Sequence, residues 1–150
     1  MSAFSHLRVS SEYSISQGLL TINQIVDNAS KKSIPSVALT DKSNMFGLVK
    51  FFDKCELAGI KPISGCSLNV IFDSDEDSHE LLCLAKTNNG HKNLMKIISS
   101  AHNNYSYSSP IIQFKDLTEL NDDIVVISGG KNSHIFEYLR RNNRADAENK

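Results

Sequence analysis

Short apolar runs alternate with helical stripes along this chain, and this alternation restricts the possible folds more than any other feature. One helical stripe contains Ile22, Ile25, Val26 and Ala29. The apolar run "PSVALT" follows it, and the chain then returns to helical spacing in "NMFGLVKFFDKCELAG", which ends at Gly59. Strands and helices that alternate in this way form a largely parallel α/β sheet with right-handed crossovers.

The second half of the chain continues the pattern. We predict strands at "IKPISGCSLNVIF", "HELLCLAK" and "IVVIS", helices at "NNGHKNLMKIISSAH" and after Ser133, and a solvated turn at the acidic "DSDED". The stretch "NNYSYSSPIIQFKDLTELNDD" is less regular. Four or five strand and helix units are too few to close a barrel of seven or eight. The sheet is therefore either open and doubly wound or the first part of a barrel.

The N-terminal segment "SHLRVSSEYS" predicts an additional, first strand. Alternate residues of an extended chain share a face, so Arg8 and Ser10 point to one side and Leu7 and Val9 to the other. A loop then leads to the first helix, for which Thr21 is the expected cap.

Charge and cysteine content exclude several classes of protein. The net charge of −1 and the lack of a basic stripe argue against a direct grip on nucleic acid. The three cysteines, Cys55, Cys66 and Cys83, have no CxxC spacing and are odd in number, as expected in a reducing cytoplasm. Neither a secretion signal nor an apolar run of about 18 residues is present, so we expect a cytoplasmic protein without membrane contact.

Four predicted strand ends carry "RVSSEYS", "LTDKSN", "SGCS" and "ISGG", at the edge where parallel α/β proteins place their functional loops. With "IPSVALTDKSNMFGLVKFF" and "LLCLAKTNNGHKNLMKIISSAH", these segments resemble, in order, the N-terminal polymerase-and-histidinol-phosphatase (PHP) domain of bacterial DNA polymerase III alpha subunits. The resemblance covers nearly the whole chain. It implies the first half of a distorted β/α barrel, because such a domain has about 250 residues or more. Residues 1–150 would then be an incomplete PHP domain, with the polymerase palm, fingers and later domains absent.

Metal-binding members of this family carry His, Asp, Glu and Cys ligands, which hold a metal cluster that activates water for phosphoester hydrolysis. The residues at the corresponding positions of this chain are Arg8, Ser10, Gln17, Lys42, Ser67, His102 and Gly130. Among these, His102 alone is of a ligand type. The resemblance therefore implies a degenerate metal site, and we expect this segment to have no metal, no cofactor and no catalytic residue.

Two cations stand where the family places divalent metal ions. Arg8 and Lys42 would repel each other in a partly buried site unless acids lie nearby. We expect Asp41 and Glu12 to be those acids, because an arginine fork can donate to two acceptors at once. The hypothesis is that this polar network of four side chains replaces the structural role of the metal.

The resemblance implies a non-catalytic structural and docking domain of the DNA replication machinery. Such a domain supports the other domains of the polymerase alpha subunit and binds the proofreading exonuclease subunit. We do not expect the segment itself to be an enzyme, although its parent would be a DNA-directed DNA polymerase, which is a nucleotidyltransferase. The alternative is a metal-dependent PHP phosphoesterase, which would require ligands that six of the seven positions lack.

Overall fold

The computed structural model of the chain describes residues 4–15, 17–72, 77–103, 109–141, 144 and 148. Its strands are β1 (Ser36–Leu39), β2 (Lys61–Ile71), β3 (His79–Ala85), β4 (Ile111–Gln113) and β5 (Ile124–Ser128). Its helices are α1 (Ile22–Lys31), α2 (Leu48–Leu57), α3 (Asn88–Asn103), α4 (Phe114–Glu119) and α5 (His134–Arg140), with a 3-10 turn at Gly130–Asn132.

The five strands of these residues form one sheet in the order β1, β2, β3, β5, and β4 pairs with β2 beside this path. β1 and β4 are parallel to β2, whereas β3 is antiparallel to both β2 and β5. Four of the five strands therefore run in one direction, and the predicted α/β class is confirmed. β3 runs the other way because only residues 72–78 separate it from β2, and a parallel return needs a crossover of about a dozen residues or more.

The N-terminal segment runs beside β1 but is not a regular strand, which corrects the predicted first strand. His6 forms an isolated parallel bridge with Val37, and the Thr40 N–H donates to the Val9 carbonyl at 2.8 Å. The Val9 N–H, however, donates to the Thr40 hydroxyl at 3.0 Å. In a regular ladder the Val9 N–H would donate to a backbone carbonyl, but here it donates to the Thr40 side chain. The ladder is therefore interrupted around Arg8.

The predicted helices are confirmed, and local signals explain where they begin and end. Thr21 caps α1 in a capping box with Gln24, and the predicted apolar stripe is buried. α2 is followed by Gly59, whose φ of 66° lies in the left-handed region that stops helices. Ser133 caps α5 by accepting the Phe136 N–H at 3.1 Å.

The structure also contains elements that the sequence did not predict. β4 and α4 lie in the stretch expected to be less regular, at 111–119. The predicted strand at "IVVIS" is present as β5 and is half exposed, with Val125 and Val126 41% and 42% exposed. The predicted solvated turn "DSDED" lies outside the described residues except for Asp77.

Two apolar clusters cover the sheet. The first packs α1 and α2 against β1 and includes the fully buried Phe51 and Leu39. The second packs α3 against β2 and β3 and includes Leu94 and Val70. Each such side chain contributes about 1.5–3 kcal/mol by leaving water. Among the described residues, none of the helices combines the length and the apolar character that a membrane crossing requires.

Candidate functional site

The polar side chains of the candidate site lie where β1 and β5 end and where β2 and β3 pass beside them. Lys42, just after β1, forms an isolated parallel bridge with Ser67 in the middle of β2. Glu80 at the start of β3 is paired with Asn69 of β2. Gly129, just after β5, approaches Glu80 so closely that a Cβ there would lie 2.1 Å from the Glu80 carbonyl oxygen.

Asp41 is the centre of a buried network that fixes the first loop. Asp41 is 1% exposed, and its carboxylate accepts three hydrogen bonds. The Ser11 N–H and the Ser11 hydroxyl each donate at 2.7 Å, and the Ser14 hydroxyl donates at 2.6 Å. Hydrogen bonds to a buried carboxylate are stronger than those between neutral groups. Asp41 therefore anchors the loop that follows the N-terminal segment to the end of β1.

Arg8 is paired with Glu80, which corrects the predicted partners Asp41 and Glu12. Its Nη2 forms a close ion pair with Glu80 Oε1, and its Nη1 donates to the Gly129 carbonyl at 3.3 Å. The Glu80 side chain is 6% exposed and the Arg8 side chain is 46% exposed. The reason is the antiparallel course of β3, which brings a buried carboxylate to this edge of the sheet, whereas the Asp41 oxygens accept hydrogen bonds from Ser11 and Ser14.

The other two members of the predicted network are also placed differently. Glu12 lies 3.7 Å from Lys50 of α2, and both side chains are about half exposed. Within the described residues, no carboxylate lies at ion-pair distance from Lys42. Its side chain instead lines an open cleft of about 630 Å³ beside Glu80. The four residues of the predicted network therefore have four separate surroundings in this structure.

The remaining positions that correspond to family ligands fall into two groups. His102 Nε2 lies 2.8 Å from the Ser43 carbonyl, and the Ser43 N–H donates to the Ser67 carbonyl at 2.8 Å. His102 thus lies near Ser67 and Lys42. Because a carbonyl can only accept, this histidine nitrogen carries the proton.

The other three positions, Ser10, Gln17 and Gly130, lie near the loop that follows the N-terminal segment or near the end of β5. A side chain at Gly130, which has a φ of 64°, would begin 3.9 Å from Nη1 of Arg8. Ser10 is half-buried beside the Asp41 network, whereas Gln17 is exposed and its N–H donates to the Ser14 carbonyl. The structure therefore brings Arg8 and Gly130 together and leaves Gln17 facing solvent.

The side chains at this site do not form a set of ligands that fits a metal cluster. In the part of the chain that the structure describes, no group of three or more His, Cys, Asp or Glu side chains is arranged to hold a metal ion. Glu80 is bound by a guanidinium. Burial raises the pKa of the Cys66 thiol in β2.

Glu80 and Asn132 are site residues that sequence reasoning missed. Asn132 Nδ2 donates to Glu80 Oε2 at 3.2 Å, so both carboxylate oxygens have a partner. The signal was present in "HELLCLAK", where one acid, Glu80, precedes the apolar run of a predicted strand. An ionised side chain in such a strand is seldom buried without a partner. The pattern therefore indicates that Glu80 is buried beside a cation or a hydrogen-bond donor rather than exposed to solvent at the end of the strand.

Known proteins resemble this chain over nearly its whole length. The chain is 41% identical over 145 residues to the DNA polymerase III subunit alpha of Escherichia coli K12 and 35% identical over 149 residues to that of Vibrio cholerae. The alignments cover 95% and 97% of this chain but 12% and 13% of those proteins, so the chain spans about an eighth of the length of these relatives.

A solved amidohydrolase from Chromobacterium violaceum shares the fold. It matches with a TM-score of 0.52 and 21% identity over 66% of this chain and 33% of that chain. The family model of the PHP domain matches residues 6–150. The chain therefore belongs to the PHP domain family.

Proposed function

We propose that this chain is the N-terminal part of the PHP domain of a DNA polymerase III alpha subunit and serves DNA replication through its structure. In this role it supports the other domains of the polymerase and binds the proofreading exonuclease subunit in the cytoplasm. Identity of 41% to one such subunit supports the parentage. The net charge of −1 supports a role that does not include direct binding of DNA by this segment.

The observation that carries the non-catalytic part of the proposal is the bonding of Glu80. Its carboxylate is buried and bound by Arg8 and Asn132, at the edge where the strand-end loops meet. A guanidinium and an amide bind both oxygens of this carboxylate, so it is not free to bind a metal ion at this edge. The polymerase activity in the names of the relatives belongs, in this proposal, to parts of the longer protein outside these residues.

Elemental analysis tests the loss of metal chemistry. After dialysis against trace zinc, manganese and iron, the purified chain should hold no stoichiometric metal. One or more metal ions per chain would contradict the proposal. The triple substitution Arg8→Ala, Lys42→Ala, His102→Ala shows whether such metal is bound at this site, because it should then change the metal content.

Isothermal titration tests the docking role. A polymerase alpha chain that contains this sequence should bind the C-terminal segment of the proofreading exonuclease of the same organism. The same polymerase chain without residues 1–150 is the control and should not bind. Equal binding by both chains would place the exonuclease contact elsewhere and leave only a supporting role for this domain.

A further inference from the structure

An apolar groove lies at the opposite end of β2 and β3 from the candidate site. It consists of two adjoining cavities of about 610 and 290 Å³, and Phe52 and His91 line both of them. Val49 of α2 adds to the wall of the smaller cavity, and Ile63 of β2 adds to that of the larger one. Cavities of this size accommodate one or two side chains of a bound segment.

The walls of the groove are held in place before any partner binds. The His91 Nδ1 lies 2.9 Å from the Ser64 hydroxyl, which fixes the imidazole ring between the two cavities. The Phe52 ring packs edge-on against Phe51 with centroids 6.1 Å apart, and Phe51 is fully buried. A preformed site loses less side-chain entropy on binding than a mobile one.

α2 is apolar on the side that faces the groove as well as on the side that faces the core. It buries Leu48, Phe51 and Cys55 in the core, yet Val49 is 77% exposed and Phe52 is 40% exposed. Adjacent exposed apolar side chains of this kind form a patch, and a patch beside a cavity is typical of an interaction site.

Two lysines give the groove its charge preference. Lys61 and Lys86 line the larger cavity, both are exposed, and neither has a carboxylate at ion-pair distance among the described residues. α3 begins beside them at Asn88 without an acidic residue in its first turn. One acid, Asp53, lines the smaller cavity. The larger cavity therefore favours negative charge beside an apolar anchor.

We propose that this groove is a docking site for a partner protein segment in which aromatic or aliphatic side chains are flanked by acidic residues. The apolar side chains enter the cavities around Phe52, and the acidic residues pair with Lys61 and Lys86. This inference goes beyond the proposed function, because it concerns the chemistry of the bound segment and holds whether or not the exonuclease supplies it.

Fluorescence anisotropy with two capped, fluorescein-labelled peptides tests the proposal on the full chain. The wild-type chain should bind the peptide DEFLED about tenfold more tightly than the peptide KKFLKK. The double substitution Lys61→Glu, Lys86→Glu should reverse this order, since it changes only exposed charges. Phe52→Ala should weaken binding of both peptides, and urea melts show whether that variant remains folded.

Lys54→Glu is the matched control, because Lys54 is exposed on α2 but does not line the groove. It should leave the preference between the peptides unchanged. The proposal is overturned if the wild-type chain does not distinguish the peptides, or if the control shifts the preference as much as the double substitution does. It is also overturned if light scattering shows a dimer that Phe52→Ala dissociates, because a second copy of the chain would then be the occupant.

Discussion

The ion pair between Arg8 and Glu80 leads to a quantitative prediction about stability. Arg8→Ala removes the main partner of a carboxylate whose side chain is 6% exposed and leaves it with the single bond from Asn132. Removing one partner of a fully buried pair costs about 3–5 kcal/mol. The Arg8 side chain is 46% exposed, so water replaces part of the lost interaction. We therefore expect a loss of about 2 kcal/mol in the free energy of unfolding.

Removing the charge from the other partner should cost less. Glu80→Gln leaves a neutral amide beside Asn132 and a guanidinium that already faces water, for an expected loss of about 1 kcal/mol. In the double variant neither charge is stranded, so its loss should be smaller than the sum of the two single losses by about 1 kcal/mol.

Urea denaturation at neutral pH measures all three variants, with equal m values as the check that two-state analysis is valid. Arg144→Ala is the matched control, since it breaks an exposed pair with Glu148 whose side chains are 83% and 66% exposed. It should cost less than about 0.5 kcal/mol. The reasoning fails if Arg8→Ala costs no more than this control, or if the two single losses add without coupling.

Three other predictions concern the buried Asp41 carboxylate and the buried thiols. Asp41→Asn weakens three hydrogen bonds to the carboxylate. It should lower the free energy of unfolding by about 2–3 kcal/mol in the same urea assay. A change below about 0.5 kcal/mol would contradict the anchoring role of Asp41. Burial raises the pKa of Cys55 to about 11 and that of Cys83 to about 12, so a thiol reagent at pH 7.5 should label neither in the native chain and both in urea. Because these native thiols keep their protons to higher pH than unfolded thiols, stability should fall as pH rises above about 9. Rapid native labelling, or stability that does not fall above that pH, would contradict their burial.

The elements that could be predicted from the sequence are those specified by neighbouring residues. α1 has a cap at Thr21, a capping-box partner at Gln24 and an apolar stripe within one segment, so no distant contact is needed to define it. β4 was missed because three residues are too few for a period-2 pattern to be recognised. Its position depends on pairing with residues 69–71 of β2.

The positions of the candidate site were indicated by family resemblance, but their bonding was not. Arg8 and Glu80 are 72 positions apart, and no local pattern specifies that pairing. It requires the antiparallel return of β3, whereas the sequence indicated a run of parallel units. Asp41 was expected to neutralise a cation, yet it accepts hydrogen bonds from Ser11 and Ser14, which lie 30 and 27 positions before it in the chain and which no local pattern pairs with it.

The bond from Arg8 to the Gly129 carbonyl also has a consequence for synthesis on the ribosome, since it joins residues 121 positions apart. At about 5–20 residues per second, roughly ten seconds pass between the emergence of the two partners. During that interval α1, α2 and β1 can pack locally, while the N-terminal segment waits without the carboxylate and carbonyl that will hold its arginine. This bond is therefore made late, and forming it ties the segment beside β1 to the end of β5.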